Sequence, residues 1–192
     1  WIGTRDAWEQ LDQGEVDDPI NEFADGAFRS VSEARWTADN AILRLERFRE
    51  EGTLNSTLPL LRSYVYGAII YLSIADAFDD FVISDRRDAS PPIGEGNMQQ
   101  LHDTAIGYLN KGLALADDGS EWEIRLLALR ARARYSKALW EKLNPDVNTT
   151  DPRVQSTEAA EDARDALDII GSGNDWNYQL ETTPDTPSNS MA

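Results

Sequence analysis

Between residues 61 and 78, apolar side chains recur every three or four positions, as Leu61, Tyr64, Val65, Ala68, Ile69, Leu72, Ala75 and Phe78. Tyr66, Ile70 and Tyr71 lie off that stripe. A helix apolar nearly all round is stable in water only when neighbouring elements cover it. The spacing therefore predicts a central helix packed between others. Thr57 is its expected N-cap, and Pro59 suits the first turn, where a missing N–H costs nothing. Gly67, Ser73 and Asp76 interrupt the run. It falls short of the roughly 18 unbroken apolar residues of a membrane span, so no direct membrane insertion is expected.

Four more segments carry the helical period. One runs from about Ser30 to Glu51, with Val31, Ala34, Ala38, Ile42, Leu45 and Phe48 on one face. Ser30 and Glu33 form a capping-box pattern, Gly52 is a natural C′ residue, and Arg44, Glu46, Arg47, Arg49 and Glu50 make a solvated face. Another spans about 97–117 through Met98, Leu101, Ala105, Leu109, Leu113 and Ala116. A third spans Glu121 to Leu143, opened by a second capping box of Ser120 and Glu123. Its Ala128, Ala131, Ala133 and Ala138 alternate with Leu127, Tyr135, Leu139 and Trp140, which predicts close approach of a neighbouring helix. The last, about Ser156 to Ile170, uses Ala159, Ala163, Ala166 and Leu167 and ends at Gly171 or Gly173.

The remainder reads as connection. Residues 1–29 are expected to be irregular, apart from a short helix in "RDAWEQLDQG"; 30–171 form the helical domain; 172–192 form an extension or linker. "WNYQL" at 176–180 is the best strand candidate, and a weak one. Two long loops, 79–96 and 144–155, interrupt the helices, and long ordered loops tend to carry function. The second helix pairs with the third and the fourth with the fifth, because each long aromatic-rich helix precedes one with an Ala/Leu inner face. The expected fold is all-α, with stacked antiparallel helix pairs in a tetratricopeptide-like α-α superhelix.

Charge narrows the partners. Lys and Arg total 18 against 35 Asp and Glu, a formal net charge of -17. Such a surface repels phosphate backbones and anionic headgroups, so nucleic acid is not an expected partner. The absence of cysteine excludes disulfides and thiolate chemistry. A start at Trp1 with no Met, and the Pro/Ser/Thr stretch "TTPDTPSNSMA" at the end, read as a processed chain or part of a longer product.

Catalytic constellations are sparse, and no enzyme is expected. His102 is the sole histidine, so no triad or zinc helix can be built from imidazoles, and a surface or capping role is expected for it. Asp79-Asp80 and Asp117-Asp118 supply paired acids, yet adjacent residues rarely aim at one substrate. Asn144, Asp146, Asn148 and Thr150 alternate as oxygen ligands do in calcium loops. Thr149 stands where such a loop needs glycine, and Gln155 where it needs a bidentate Glu, so a solvated turn is the simpler reading and no other cofactor is expected. Asn55-Ser56-Thr57 and Asn148-Thr149-Thr150 match the N-glycosylation pattern, which matters only in a eukaryotic secretory pathway.

The succession "LRSYVYGAIIYLSIADAFDDF", a Pro-containing loop, "LHDTAIGYLNKGLALA", "LLALRARARYSKALWEKL" and "STEAAEDARDALDIIGSGNDWNYQL" resembles the SusD/RagB family. Upstream, "EARWTADNAILRLERF" with Asp39-Asn40-Ala41-Ile42 resembles the early helix of that family. The resemblance spans about 30–180 and rests on the order and spacing of helices. It implies an outer-membrane nutrient-binding lipoprotein, exposed outside the cytoplasm, that serves a TonB-dependent barrel transporter and holds oligosaccharides or peptides. The chain lacks the lipid-bearing cysteine and the long C-terminal half of the family, and carries Asp79-Asp80-Phe81-Val82 where the family has Gly-Asp-x-Pro. For a glycan, Phe81, Asp85 and Arg86 in the long loop, with Trp176 and Tyr178 near the end, are the expected contacts; the competing reading makes Phe81 and Trp176 plugs of the helical stack. A second expectation is an accessory subunit that docks on an extracytoplasmic face of a membrane complex, and a third is a cytoplasmic tetratricopeptide adaptor.

Overall fold

Among the described residues, burial of the apolar stripes produces five helices: α1 Glu22–Glu50, α2 Leu58–Ala77, α3 Gln99–Leu113, α4 Glu121–Leu143 and α5 Thr157–Ile170. A 3₁₀ turn, Glu95–Asn97, leads into α3. The structure, a computed structural model, describes residues 22–85, 87, 89–144, 153–174 and 176. No strand occurs among the described residues. Each helix packs on the next in chain order, most extensively α2 on α3 and α4 on α5, which are the two expected pairs.

Side-chain contacts give the directions. Asp39 meets Tyr71 while Glu46 meets Tyr64, so α2 runs antiparallel to α1. Tyr71 meets Tyr108 edge to face while Tyr64 lies beside Lys111, which sets α3 antiparallel to α2. Asp103–Lys137 and Asn110–Arg130 reverse the direction again for α4. Alternate helices must then be parallel. Arg62 over Trp122 and Asp76 with Arg132 confirm it for α2 and α4.

The central helix is α2, and ten of its twenty residues are buried. By length and composition alone it could cross a membrane, which corrects the expectation that no run is long enough. Only Arg62 and Asp76 are charged within it, and α1, α3 and part of α4 cover much of its apolar surface. Tyr71, expected off the main stripe, is buried, whereas Ile69 is exposed. Two glycines set the spacing. A Cβ on Gly67 would stand 3.0 Å from Ile42 Cδ1 and 3.1 Å from Tyr108 Cδ2, and one on Gly112 would stand 2.6 Å from Leu126 Cδ2. Close approach of α3 and α4 thus rests on Gly112, and of the four alanines predicted to allow it only Ala133 is buried.

Local signals were sufficient at three ends and overridden at two. Ser120 Oγ accepts from Glu123 N at 3.2 Å while Glu123 accepts from Gly119 N at 2.6 Å, a reciprocal cap. Ser156 Oγ accepts from Ala159 N, and Gly171 closes α5 at φ 78°. Thr57 stands at the expected cap of α2, but its hydroxyl caps nothing; Ser56 Oγ accepts from Leu58 N instead. The capping box at Ser30 is not used, because α1 already starts at Glu22, within the stretch expected to be irregular. A helical Gly26 costs about 1 kcal/mol relative to Ala. Phe28 offsets it by packing on Phe78 and Phe81, with ring centroids 6.1 and 5.0 Å apart.

The last pair is fastened by a buried acid. Asp162 is 2% exposed and accepts from Arg130 Nε at 2.9 Å, Arg130 Nη2 at 2.5 Å and Arg134 Nη1 at 2.7 Å. Arg130 also donates to Asn110 Oδ1, so one guanidinium ties α3, α4 and α5. Removing one partner of a buried pair leaves uncompensated charge, at a cost of about 3–5 kcal/mol. Asp162→Ala is therefore expected to lower the stability read by urea unfolding by about 3 kcal/mol, because both arginines keep some access to water. Asp165→Ala on the exposed face of α5 should change it by less than about 0.5 kcal/mol.

Candidate functional site

Arg35, Asp39, Ile42 and Glu46 follow one another at three- and four-residue steps and so share a face of α1. Asp39 collects three donors: Arg35 Nη1 and Tyr71 OH reach Oδ2 at 2.8 and 2.9 Å, and Tyr108 OH reaches Oδ1 at 2.8 Å. Arg35 is only 5% exposed, and a buried guanidinium requires such a counter-ion. Its Nη2 donates to Ser84 O, and Trp36 Nε1 donates to Asp85 O at 3.0 Å. Two side chains of α1 thereby strap the 79–96 loop to the helix.

The loop is also pinned from within. Asp80 Oδ1 accepts from Phe81 N and Gly94 N at 2.7 and 2.8 Å, and Ile93 N donates to Phe81 O at 2.9 Å. The two ends of the loop are therefore held together, and Ser84 and Asp85 rest against α1. Between α1, the loop and α3 lies an open cleft of about 660 Å³. Trp36, Asn40, Asp85, Ser90, Tyr108 and Lys111 are among its lining residues.

The electrostatics of the cleft are nearly balanced, with Arg35 and Lys111 facing Asp39, Glu46 and Asp85. Glu46 accepts from Tyr64 OH at 2.7 Å and from Lys111 Nζ at 2.8 Å. Burial opposes its ionisation, but these two hydrogen bonds outweigh that and hold the carboxyl below its ordinary range. Burial and the neighbouring carboxylates push the Tyr64, Tyr71 and Tyr108 phenols well above theirs. All three stay neutral donors at physiological pH. The cleft is a pre-set array of hydrogen-bonding groups on a rigid wall.

The predicted ligand residues are not brought together. Phe81 is 1% exposed and sits in the core against Phe28 and Phe78, so it is a plug and not a ligand contact. Asp85 does line the cleft. Trp176 lies elsewhere, beside Tyr66, Ile69 and Trp122. Arg86 and Tyr178 lie outside the described residues, as do Asp146, Asn148 and Thr150 of the calcium pattern. Asn144 is described; its N–H and Nδ2 both donate to Trp140 O and close α4. Among the described residues no three His, Asp or Glu side chains converge as a metal site. Sequence reasoning missed Arg35, Trp36, Tyr108 and Lys111. The signal for the first was an Arg–Asp pair at i, i+4 bordering the apolar stripe of α1.

His102 was expected at a surface or a cap, yet it is 1% exposed. It falls four residues after Met98 and three before Ala105, on the buried face of α3. Among the described residues Nδ1 has no hydrogen-bond partner, and Nε2 is 3.9 Å from Asp76 Oδ1. Burial lowers its pKa, against the pull of Asp76 and Asp103; Lys137 adds to the lowering and Glu141 opposes it.

Two outcomes follow from this geometry. Tyr71→Phe and Tyr108→Phe are each expected to cost about 1.5–3 kcal/mol, the worth of a hydrogen bond to a charged group. Asp39→Ala should cost more, about 3–5 kcal/mol, since it strands Arg35; chemical unfolding of the three variants gives the ranking. For His102 the folded pKa lies below the unfolded value of about 6.5, so the unfolded chain binds the proton first. Stability contributed by neutral His102 is complete above that value and falls as pH drops towards the folded pKa. Urea midpoints at pH 7.5 and 5 should show this decrement in the native chain and a smaller one in His102→Gln. Comparison with protein-family models, with curated proteins and with solved structures finds no match to this chain.

Proposed function

We propose that the chain is a non-catalytic binding protein, resembling SusD/RagB, that captures an oligosaccharide or peptide outside the cytoplasm at the outer membrane for a TonB-dependent barrel transporter. The observation that carries the reading is the cleft of about 660 Å³ between α1, the 79–96 loop and α3. Its size suits a small ligand, and its walls combine aromatic rings with a few fixed polar groups. Charge near balance favours an uncharged, hydroxyl- or amide-rich molecule over a phosphate or a polyamine. Trp36 and Tyr108 offer ring surface, while Asn40, Ser90 and Asp85 offer donors and acceptors at the rim. The serial helical frame supports the resemblance on which the outer-membrane setting rests.

A second reading has its own support. Tyr135, Leu139 and Leu143 are exposed at four-residue steps along α4 and form an apolar stripe. That stripe favours an accessory subunit docking on an extracytoplasmic face of a membrane complex.

Screening the purified chain against oligosaccharide and peptide libraries, followed by calorimetric titration of hits, tests the first reading. Ser90→Trp, which places an indole in the cleft without touching the core, is expected to weaken binding at least about tenfold with an unchanged melting temperature. Silence across both libraries, with stoichiometric co-purification on a membrane complex abolished by Leu139→Glu, would replace the first reading by the second.

A further inference from the structure

The α1 wall of the cleft does not stop at Glu46. Asp39, Ile42, Glu46 and then Arg49 and Glu50 follow at three- and four-residue steps, so one face continues into the last turn of the helix. On the other side, Tyr108, Lys111 and Ala114 follow at three-residue steps along α3 and its cap. Both helices run antiparallel to α2 and are therefore parallel to each other, and the channel between them continues beyond Lys111. A second compartment of about 510 Å³ lies there, walled by Arg49 and Glu50 of α1, Tyr64 of α2 and Ala114.

Glu46 and Lys111 line both compartments, and their 2.8 Å ion pair joins α1 to α3 across the channel. Glu46 also accepts from Tyr64 OH, and Lys111 Nζ stands 5.8 Å from the Tyr64 ring centre, so the pair rests on Tyr64 as a low sill. The Lys111 side chain is 53% exposed, which leaves the upper side of the sill to solvent. A chain-like molecule can pass over it, whereas a compact one fills a single compartment.

The walls select the kind of chain. Leu43 is 66% exposed and lines the first compartment together with Ile83, an aliphatic surface suited to an apolar side chain more than to a sugar ring. In the second compartment Arg49 and Glu50 are exposed, and neither is ion-paired among the described residues. A guanidinium donor beside a carboxylate acceptor complements the C=O and N–H that a peptide presents at each residue. From Trp36 to Glu50 the helix rises about 21 Å. An extended peptide advances about 3.3 Å per residue, so about six residues span both compartments.

We propose that the α1–α3 channel takes an extended peptide of at least about six residues, lying in the cleft and in the compartment beside Arg49 and Glu50, across the Glu46–Lys111 sill. This rests on the binding reading of the cleft and adds to it a second subsite and a minimum length.

Mixed-sequence pools of tripeptides and of octapeptides are passed at equal concentration over the immobilised full chain, and retained peptide is quantified by mass spectrometry. Octapeptides are expected to be retained at least about tenfold better, a difference that one added charge-assisted hydrogen bond supplies. Ala114→Trp, at an exposed position, should remove that advantage and leave tripeptide retention unchanged. Arg49→Gln, on the exposed end of α1, should lower octapeptide retention several-fold and decides the matter if Ala114→Trp does not fold. Equal retention of the two pools, or octapeptide retention indifferent to both variants, would overturn the second subsite and leave the cleft reading in place. Octapeptide retention lost in Ala114→Trp but untouched by Ser90→Trp would remove the cleft, and the spanning peptide with it. Silence of both pools overturns the peptide, and an oligosaccharide bound in the cleft would then stand alone.

Discussion

The carboxylate of Asp39 is the point through which three helices and a loop are referred to one another. Its partners come from α1, α2 and α3, and the arginine it neutralises reaches on to the loop carbonyl of Ser84. Apolar packing could hold α1 against α2 in several slightly shifted registers, since hydrophobic contact has little direction. Hydrogen bonds to a fixed carboxylate do not allow such slippage. Arg35 would be untenable in the interior without Asp39, and Tyr71 and Tyr108 would be two buried hydroxyls in search of acceptors. The cleft exists because these groups agree on one arrangement.

Asp162 repeats the device at the other end of the stack. There a nearly fully buried acid gathers donors from two arginines of α4, and Arg130 reaches on to Asn110 of α3. A chain with almost twice as many acidic as basic residues can draw on its acids for this without depleting its solvated surface. The two acids flank a central α2 whose own contribution is almost purely apolar, so specificity of alignment comes from polar groups outside the main stripe.

The helices were legible because their information is local. Apolar spacing located all five, and caps at Ser120, Ser156 and Gly171 placed their ends. What local patterns could not supply was the effect of distant partners. Phe28 extends α1 beyond a plausible start because Phe78 and Phe81 lie against it, fifty residues away in sequence. Phe81 reads either as a ligand contact in a polar loop or as a plug of the helical stack, and the turn held by Asp80 carries it inward, as the second reading expects. His102 looks like a surface residue until the phase of α3 relative to Met98 and Ala105 is known. The cleft was half legible: Asp85 and its loop were singled out, but the wall on α1 was read as ordinary helix surface. A residue such as Asp39 carries no mark of its eventual partners in its immediate neighbours.

Each helix touches chiefly those before and after it, and α5 touches chiefly α4. Among the described residues the helices are therefore organised as a line, with α1 and α5 as its ends. In a linear stack the cost of opening is not uniform, because an end can peel away without dissolving the middle. Among the described residues α5 packs chiefly on α4 and leaves Leu167 65% exposed, so the Asp162 clamp carries much of its attachment. α1 likewise ends the line on the other side, but the loop strapped to it by Arg35 and Trp36 gives it a second attachment. Opening should begin at the α5 end and leave the α1–loop–α3 arrangement standing, so that loss of the last helix and loss of the cleft become separate events.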